Sequence, residues 1–195
     1  MNPLSMKLRI GTLVLSLAAA AAFAAPIAGA QESTPGSFTK ASTVKRIEPL
    51  KAGAKAPDFK VRDLGGKEFH LASSVRKDAV LLFFWSFFCG VCREEIPMID
   101  RMSRDYRDRG LQVVGVNLDG RDMKKAIDKF AVDEKIAFRI VFDEMAGDAF
   151  LVADPYGVAG TPALFLIDRR GIVAYGNVGA VTGEKLKAEI GKILK

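Results

Sequence analysis

Two cysteines separated by two residues carry the clearest chemical signal in this sequence. Cys89 and Cys92 are the only cysteines among the 195 residues. An apolar run that ends at Trp85 precedes the pair and predicts a buried strand, and a helix is predicted to begin directly after the pair. Cys89 would then lie at a helix N-terminus, where free backbone N–H groups and the helix dipole stabilise a thiolate. Because the thiolate is the attacking species, the pattern indicates thiol–disulfide exchange.

The spacing of the cysteines leaves three other interpretations open. A structural zinc site needs about four ligands, and the two cysteines with His70, the one histidine, fall short of that number. A structural staple is disfavoured because a bridge across two residues closes a very short loop. Two inert buried thiols are the third alternative. The flanking strand and helix favour the redox interpretation over all three.

The first 30 residues have the pattern of an export signal. Lys7 and Arg9 precede a long uncharged stretch, in which Ala-x-Ala motifs end at Ala24 and Ala30. We therefore predict a cleaved signal peptide over residues 1–30. An uncleaved membrane anchor is the alternative, because about 20 apolar residues can span a bilayer. Either outcome predicts a periplasmic or other extracytoplasmic location.

The rest of the chain divides into a linker and one domain. Residues 31–52 are rich in proline, glycine, serine, threonine and glutamine and predict a flexible linker. Residues 53–195 are long enough for a single domain with a sizeable core. The net charge of +6 comes from 29 basic and 23 acidic residues that are interspersed along the chain. The sequence therefore contains no basic block of the kind that binds nucleic acid.

Short apolar runs alternate with helical patterns after residue 57. Strands are predicted at residues 59–61, 68–71, 80–86, 111–118, 140–142, 163–167 and 172–175. Helices are predicted at residues 94–109, from Asp119 or Asp122 to about 132, at 145–152 and at 184–194. This alternation predicts an α/β fold in which helices flank both faces of a central mixed β-sheet, with a β-hairpin at its N-terminal end.

Two longer stretches resemble a known family. Residues 84–97, FWSFFCGVCREEIP, resemble the thioredoxin superfamily and, within it, the TlpA/ResA-like extracytoplasmic branch, whose pattern is F-W-x-x-W-C-x-x-C-R-x-E-x-P. Residues 156–168, YGVAGTPALFLID, are similar to the segment that contains the family's cis-proline. Residues 54–59, AKAPDF, resemble a start shared with peroxiredoxin-like chains. The resemblance covers about residues 52–195 and implies a thioredoxin-like fold.

The resemblance also implies roles for the residues that match these motifs. Cys89 resembles the exposed nucleophile of low pKa, and Cys92 the buried thiol that resolves the mixed disulfide. Pro162 resembles the cis-proline beside the cysteine pair, and the backbone of Thr161 the group that pairs with an extended substrate segment. Trp85, grouped with them as a substrate-binding candidate, resembles the aromatic residue that supports the active-site loop. Plain core filling is the alternative for Trp85.

Glu95 is the candidate acid–base residue. The resemblance implies that a glutamate three residues after the second cysteine influences the cysteine pKa values, and here it would take the proton from Cys92. A solvated glutamate in the first helical turn is the alternative. The sequence departs from thioredoxin at Phe83, which stands where thioredoxin has a buried aspartate, and from the family pattern at Phe88, which replaces a tryptophan.

The function implied by the resemblance is an extracytoplasmic thiol:disulfide oxidoreductase that mainly reduces protein disulfides, possible clients being the haem-site thiols of apocytochrome c. It implies a membrane thiol reductant as a partner, and no cofactor or metal beyond the Cys89–Cys92 pair itself. An oxidant of secreted thiols and a non-enzymatic Cu(I)-handling protein are the alternatives. A peroxidase is disfavoured because Phe87 and Phe88, rather than a T-x-x-C context, precede Cys89.

Overall fold

The computed structural model describes residues 48–194. Its strands are β1 (Lys60–Arg62), β2 (Glu68–His70), β3 (Ala79–Trp85), β4 (Leu111–Asn117), β5 (Arg139–Phe142), β6 (Met145–Ala146), β7 (Ala149–Phe150), β8 (Ala163–Ile167) and β9 (Val173–Val178). Its α-helices are α1 (Leu71–Val75), α2 (Gly90–Tyr106), α3 (Lys124–Asp133) and α4 (Gly183–Ile193), and short 3₁₀-helices cover Arg107–Arg109 and Arg121–Met123. The predicted signal peptide or anchor, at residues 1–30, lies outside the described residues. No helix within residues 48–194 is long and apolar enough to cross a membrane.

A five-stranded mixed sheet forms the centre of the domain, with the strand order β5-β4-β3-β8-β9. Strands β3, β4 and β5 are parallel, whereas β8 is antiparallel to β3 and to β9. The residues that follow β3, β4 and β5 therefore meet at one edge of the sheet, where β8 also begins. We call this the carboxyl edge. All residues of β3 are buried, as its continuous apolar run predicts for a strand covered on both faces.

The two faces of the sheet are covered by different elements. Alternate side chains of β3 point to opposite faces. Leu81 and Phe83 belong to the apolar cluster that includes residues of α2, α3 and α4. Leu82 and Phe84 belong to the cluster that includes the β1–β2 hairpin and α1. These observations confirm the predicted mixed sheet, the helices on both faces and the N-terminal hairpin.

The prediction of a helix at residues 145–152 is wrong. Strands β6 and β7 form a small antiparallel hairpin there, in which Met145 pairs with Phe150. Gly147 turns the chain between the two strands with a positive φ of 65°, a left-handed conformation that glycine tolerates best. The N–H of Leu151 donates to the carbonyl of Glu144 and closes the hairpin. An apolar run this short does not distinguish a helix from a strand pair.

Helix α1 was not predicted from the sequence, which indicated a strand as far as Leu71. The strand ends at His70, and the N–H of Ala72 donates to the carboxylate of Asp58 at 2.8 Å. This side chain satisfies an N–H group at the start of the helix, where no partner exists within the helix itself. Asp58 is 14 residues away from Ala72 in sequence, so no local pattern could predict this hydrogen bond.

Residues near the predicted boundary between linker and domain run beside strand β9. The N–H of Gly53 donates to the carbonyl of Val173 at 2.8 Å, and the N–H of Val173 donates to Ala54 at 2.9 Å. The N–H of Leu50, within the predicted linker, donates to the carbonyl of Tyr156 at 3.1 Å. The two bonds to Val173 occupy backbone groups of an edge strand, which would otherwise be free to pair with another chain.

Candidate active site

A disulfide joins Cys89 and Cys92 at the N-terminus of α2, where their Cα atoms are 5.2 Å apart. Cys89 is the N-cap residue of the helix, and its Sγ accepts the N–H of Cys92 at 3.1 Å. Cys92 is completely buried, whereas Cys89 is partly exposed. Of the two residues, only Cys89 is therefore accessible to another molecule, and a thiolate formed there would face the positive end of the helix dipole.

The two motifs of the sequence meet at the carboxyl edge of the sheet. Phe84 of β3 pairs with Ala163 of β8, so the residues just before β8 lie beside the cysteine loop. The Thr161–Pro162 peptide bond is cis, as the motif predicts. The carbonyl oxygen of Thr161 lies 3.7 Å from the Sγ of Cys89, although the two residues are 72 positions apart. The strand order thus brings both motifs into one site.

Glu95 lies on α2, one helical turn after Cys92, and is buried with 8% of its surface exposed. The alternative of a solvated glutamate is therefore wrong. Its Oε1 accepts the N–H of Val181 at 2.7 Å, whereas its Oε2 has no hydrogen-bond partner among residues 48–194. Desolvation raises the pKa of this carboxyl above its ordinary value, and the hydrogen bond from Val181 only partly opposes the shift.

Trp85 is completely buried at the end of β3. Its ring lies 6.1 Å from that of Phe130, centroid to centroid, and its Nε1 has no hydrogen-bond partner within the described chain. A Cβ atom at Gly115 would lie 3.1 Å from this nitrogen, so glycine on β4 makes room for the indole. Burial places Trp85 beneath the loop and favours a supporting role over direct contact with a substrate.

Exposed apolar side chains flank the disulfide. Phe88 is 74% exposed and Val91 is 47% exposed, so the residue that replaces the family's tryptophan still presents an aromatic surface. Beside them, the guanidinium of Arg93 lies 5.6 Å from the ring of Phe87 and 5.3 Å from that of Phe130. Exposed aromatic and apolar groups of this kind suit contact with another polypeptide.

Asp119 contributes to this site, although the sequence did not indicate it. Asp119 was predicted as a possible helix start, but α3 begins at Lys124 after a 3₁₀ turn. The carboxylate of Asp119 instead accepts hydrogen bonds from the hydroxyl of Ser86 and from the N–H of Phe87, each at 2.6 Å. The available signal was the position of an acid two residues beyond the buried strand β4, which places it at the same sheet edge as the cysteines.

His70 does not join the cysteine pair. Its Nε2 lies 2.8 Å from Asp58 and its Nδ1 lies 2.9 Å from Ser73. His70 also lines a cleft with Leu111 and Gln112 at the start of β4, toward the edge of the sheet opposite the cysteines. Within residues 48–194 no group of three or more histidine, cysteine, aspartate or glutamate side chains is arranged to hold a metal ion.

Comparison with protein families and curated proteins identifies similar chains. Residues 52–176 match the model of the AhpC/TSA family. A thiol-disulfide oxidoreductase ResA of Geobacillus thermodenitrificans is 33% identical over 141 residues, which cover 72% of this chain and 77% of that protein. The thioredoxin-like protein YneN of Bacillus subtilis is 29% identical over 147 residues, which cover 75% of this chain and 82% of that protein.

Solved structures give the same result. A protein of Chlorobium tepidum, provisionally named thiol:disulfide interchange protein DsbE, superposes with a TM-score of 0.66 and 34% identity, covering 75% of this chain and 99% of that one. The thioredoxin domain of a thiol-disulfide oxidoreductase from Bacteroides vulgatus superposes with a TM-score of 0.65 and 25% identity, over 75% and 99% of the two chains. The fold is therefore thioredoxin-like.

Proposed function

Since this chain belongs to the AhpC/TSA family of thioredoxin-like proteins and is a thiol-disulfide oxidoreductase, we propose that it reduces protein disulfides outside the cytoplasm. The observation that carries the proposal is the unequal exposure of the two cysteine residues. Cys89 is partly exposed at the N-cap of α2, and Cys92 is buried behind it. An accessible attacking thiol with a protected resolving thiol is the arrangement that disulfide exchange requires.

The reaction proceeds through a mixed disulfide. In the reduced protein the Cys89 thiolate attacks one sulfur of a client disulfide, and the other client sulfur leaves as a thiolate. Cys92 then loses its proton and attacks the Sγ of Cys89. The Cys89–Cys92 disulfide forms again, and the second client sulfur leaves. Two electrons pass from the protein to the client, and a membrane thiol reductant restores the dithiol in the next cycle.

Glu95 is the proposed acceptor of the proton from Cys92. It lies three residues later on the same helix, and residues at this spacing are neighbours on one helix face. Burial raises the pKa of the Glu95 carboxyl, which makes the carboxylate a stronger base than an exposed glutamate. No other buried carboxylate belongs to α2, and Phe83 occupies the position of thioredoxin's aspartate.

The client segment would lie across the residues that surround the exposed sulfur. The Thr161 carbonyl, 3.7 Å from Cys89 Sγ, marks where the backbone of an extended segment can pair. Pro162 is buried behind Thr161 and shapes this part of the site. Trp85 supports the loop from below, and Phe88 contributes an exposed ring to contact with the client.

The extracytoplasmic location rests on the sequence of residues 1–30, and the reducing direction on the resemblance to the ResA-like branch. In an oxidising compartment a dithiol needs a dedicated electron supply, which is why a membrane reductant belongs to the proposal. Thiols that must stay reduced for haem attachment in apocytochrome c are the proposed clients. A fusion of residues 1–52 to a reporter enzyme that is active only after export tests the location, and an inactive fusion would contradict it.

Reduction of insulin disulfides by the dithiol form tests the reaction. Cys89→Ser should abolish it, whereas Cys92→Ser should accumulate mixed disulfides that can be isolated from the native cell envelope. Full activity of Cys89→Ser would overturn the assignment. A reduction potential of about −270 mV for the Cys89–Cys92 pair would support the role of a reductant, and one of about −120 mV would identify an oxidant instead.

A further inference from the structure

The loop before Cys89 is bonded to a side chain from the neighbouring strand connection. We infer that Asp119 is a positioning residue of the exchange reaction, because its carboxylate holds residues 86–88 and with them the attacking sulfur and the exposed ring of Phe88. The inference rests on the proposed function and adds to it a residue outside both sequence motifs.

Two short hydrogen bonds connect Asp119 to the loop. Its Oδ1 accepts a hydrogen bond from the hydroxyl of Ser86 at 2.6 Å, and its Oδ2 accepts one from the N–H of Phe87 at 2.6 Å. Bonds to an ionised acceptor are about twice as strong as bonds between neutral groups. A hydroxyl has one proton, and the Ser86 hydroxyl donates it in the hydrogen bond to Asp119. The lone pairs of Ser86 Oγ are therefore free to accept the N–H of Phe88, with the nitrogen 3.1 Å from Oγ.

The backbone N–H groups of the three residues 87–89 are all paired. The N–H of Phe87 binds Asp119, the N–H of Phe88 binds the oriented hydroxyl of Ser86, and the N–H of Cys89 binds the carbonyl of Ser86 at 3.1 Å. Two of these three bonds depend on Asp119, one directly and one through Ser86. Without the carboxylate, the amides of Phe87 and Phe88 lose their fixed acceptors.

Asp119 is itself held rigidly. The buried side chain of Asn117 donates from Nδ2 to Asp119 Oδ2 at 2.8 Å and accepts the backbone N–H of Asp119 at 3.0 Å. Asn117 ends β4 opposite Trp85, and the N–H of Leu118 donates to the carbonyl of Trp85 at 3.0 Å. The carboxylate therefore transmits the rigidity of the β3–β4 pair to the loop.

This rigidity matters because the exposed part of the loop has few side-chain contacts of its own. Phe88 is 74% exposed, and its ring meets that of Phe87 edge-on, with the centroids 5.6 Å apart. Its position is therefore set by the backbone bonds. A misplacement of about 1 Å can cost on the order of a hundredfold in rate, and a partly loosened loop should cost about tenfold in kcat/KM toward a protein disulfide.

Insulin reduction by four single variants tests the inference. Asp119→Asn and Ser86→Ala should each lower kcat/KM for insulin about tenfold, mainly through KM, because client docking needs the ordered loop. Ser86→Thr keeps the hydroxyl and should restore most of the activity. Asp122→Asn removes the same charge from an exposed site three residues away and is the matched control, which should keep wild-type activity.

A double variant separates positioning from general damage. Because Ser86 and Asp119 act through one connected set of bonds, the two changes together should cost little more than either alone. Hydrogen exchange should show faster exchange of the Phe87 and Phe88 amides in Asp119→Asn and Ser86→Ala, while thermal unfolding shows that each variant stays folded. Glutathione disulfide, which is too small to use the loop surface, should be reduced with less loss than insulin.

The results that would overturn the inference are distinct from those that overturn the proposed function. Full insulin activity of Asp119→Asn and Ser86→Ala, additive losses in the double variant, or a loss in Ser86→Thr as large as in Ser86→Ala would each refute the positioning role. A wild-type protein that fails to reduce insulin would refute the proposed function, and the positioning role in catalysis with it.

Discussion

The carboxylate of Glu95 accepts the backbone N–H of Val181 at 2.7 Å, and this bond joins α2, which carries the cysteines, to the segment that leads into α4. The two residues are 86 positions apart. One carboxylate oxygen is satisfied by this bond, and the other is buried without a partner among residues 48–194. Glu95 is thus a buried acid whose charged form is only partly compensated.

The stability of the protein should depend on pH through Glu95. Burial raises its pKa in the folded state above the ordinary value of 4.5. Its contribution to stability is therefore fully present below the unfolded pKa and is lost as the pH rises through the folded pKa. Glu95→Gln imitates the protonated form, so the variant should match the wild type near pH ~4 and exceed its stability near pH ~7.

Urea unfolding of the disulfide form at several pH values measures this difference. The exposed neighbour on the same helix supplies the control: Glu94→Gln should change the unfolding free energy by less than about 0.5 kcal/mol throughout. A difference between Glu95→Gln and the wild type that stays constant across the pH range would contradict the assignment.

Loss of the Glu95 carboxylate should also slow the resolution step. If Glu95 takes the proton from Cys92, Glu95→Gln should slow release of a preformed mixed disulfide by on the order of a hundredfold. Alkylation of Cys89 in the reduced protein, which needs no proton transfer from Cys92, should change much less. Quenched-flow release of a labelled peptide from Cys89 measures the step, and an unchanged release rate would exclude this role.

Truncation of the exposed ring beside the disulfide should affect client binding and leave stability intact. Phe88 is 74% exposed, so Phe88→Ala should change the unfolding free energy by less than about 0.5 kcal/mol. Its KM for insulin should rise, because an apolar contact with the client is lost. Val132, 71% exposed at the end of α3, gives the matched control. Equal KM values for Phe88→Ala and Val132→Ala would argue against a docking role.

A methyl group at Gly115 should disturb the support of the active-site loop. The added Cβ would lie 2.7 Å from the ring of Phe138 and 3.1 Å from Trp85 Nε1. Overpacking of this kind costs about 1–3 kcal/mol of stability. Gly191→Ala, in open space on α4, should instead stabilise the protein by about 0.5–1 kcal/mol. Thermal unfolding of both variants measures these changes in stability. A Gly115→Ala variant as stable as the wild type would refute the close packing around Gly115.

The buried carboxylate of Asp143 should be needed to hold the chain after the β6–β7 hairpin. It accepts the N–H groups of Glu144, Val152 and Ala153 at 2.9, 3.0 and 2.8 Å. Asp143→Ala leaves buried N–H groups unpaired, at about 1–3 kcal/mol each, so a loss of about 3 kcal/mol is expected. Asp148→Ala, in the exposed hairpin turn, should be nearly neutral. Similar melting temperatures for the two variants would contradict this role.

Local patterns predicted the elements that local forces decide. The apolar run before the cysteines predicted a buried strand, and β3 is buried along its whole length. The cis bond before Pro162, which the structure contains, was implied by the family resemblance of that segment and not by a local pattern. The helix prediction at residues 145–152 was wrong because a segment of this length fits either a short helix or a hairpin. There a glycine turn and the side chain of Asp143 determine the outcome.

The sequence by itself determined the chemistry of this protein: two sulfurs, their spacing, and a helix predicted to follow them. The structure starts that helix earlier, at Gly90, between the two cysteines. The tertiary structure decided which groups surround the sulfurs. It placed the Thr161 carbonyl beside Cys89, buried Glu95 against Val181, and brought Asp119 onto the loop at Ser86. These contacts join residues far apart in the chain and depend on the order of the strands in the sheet, which no local pattern of residues encodes.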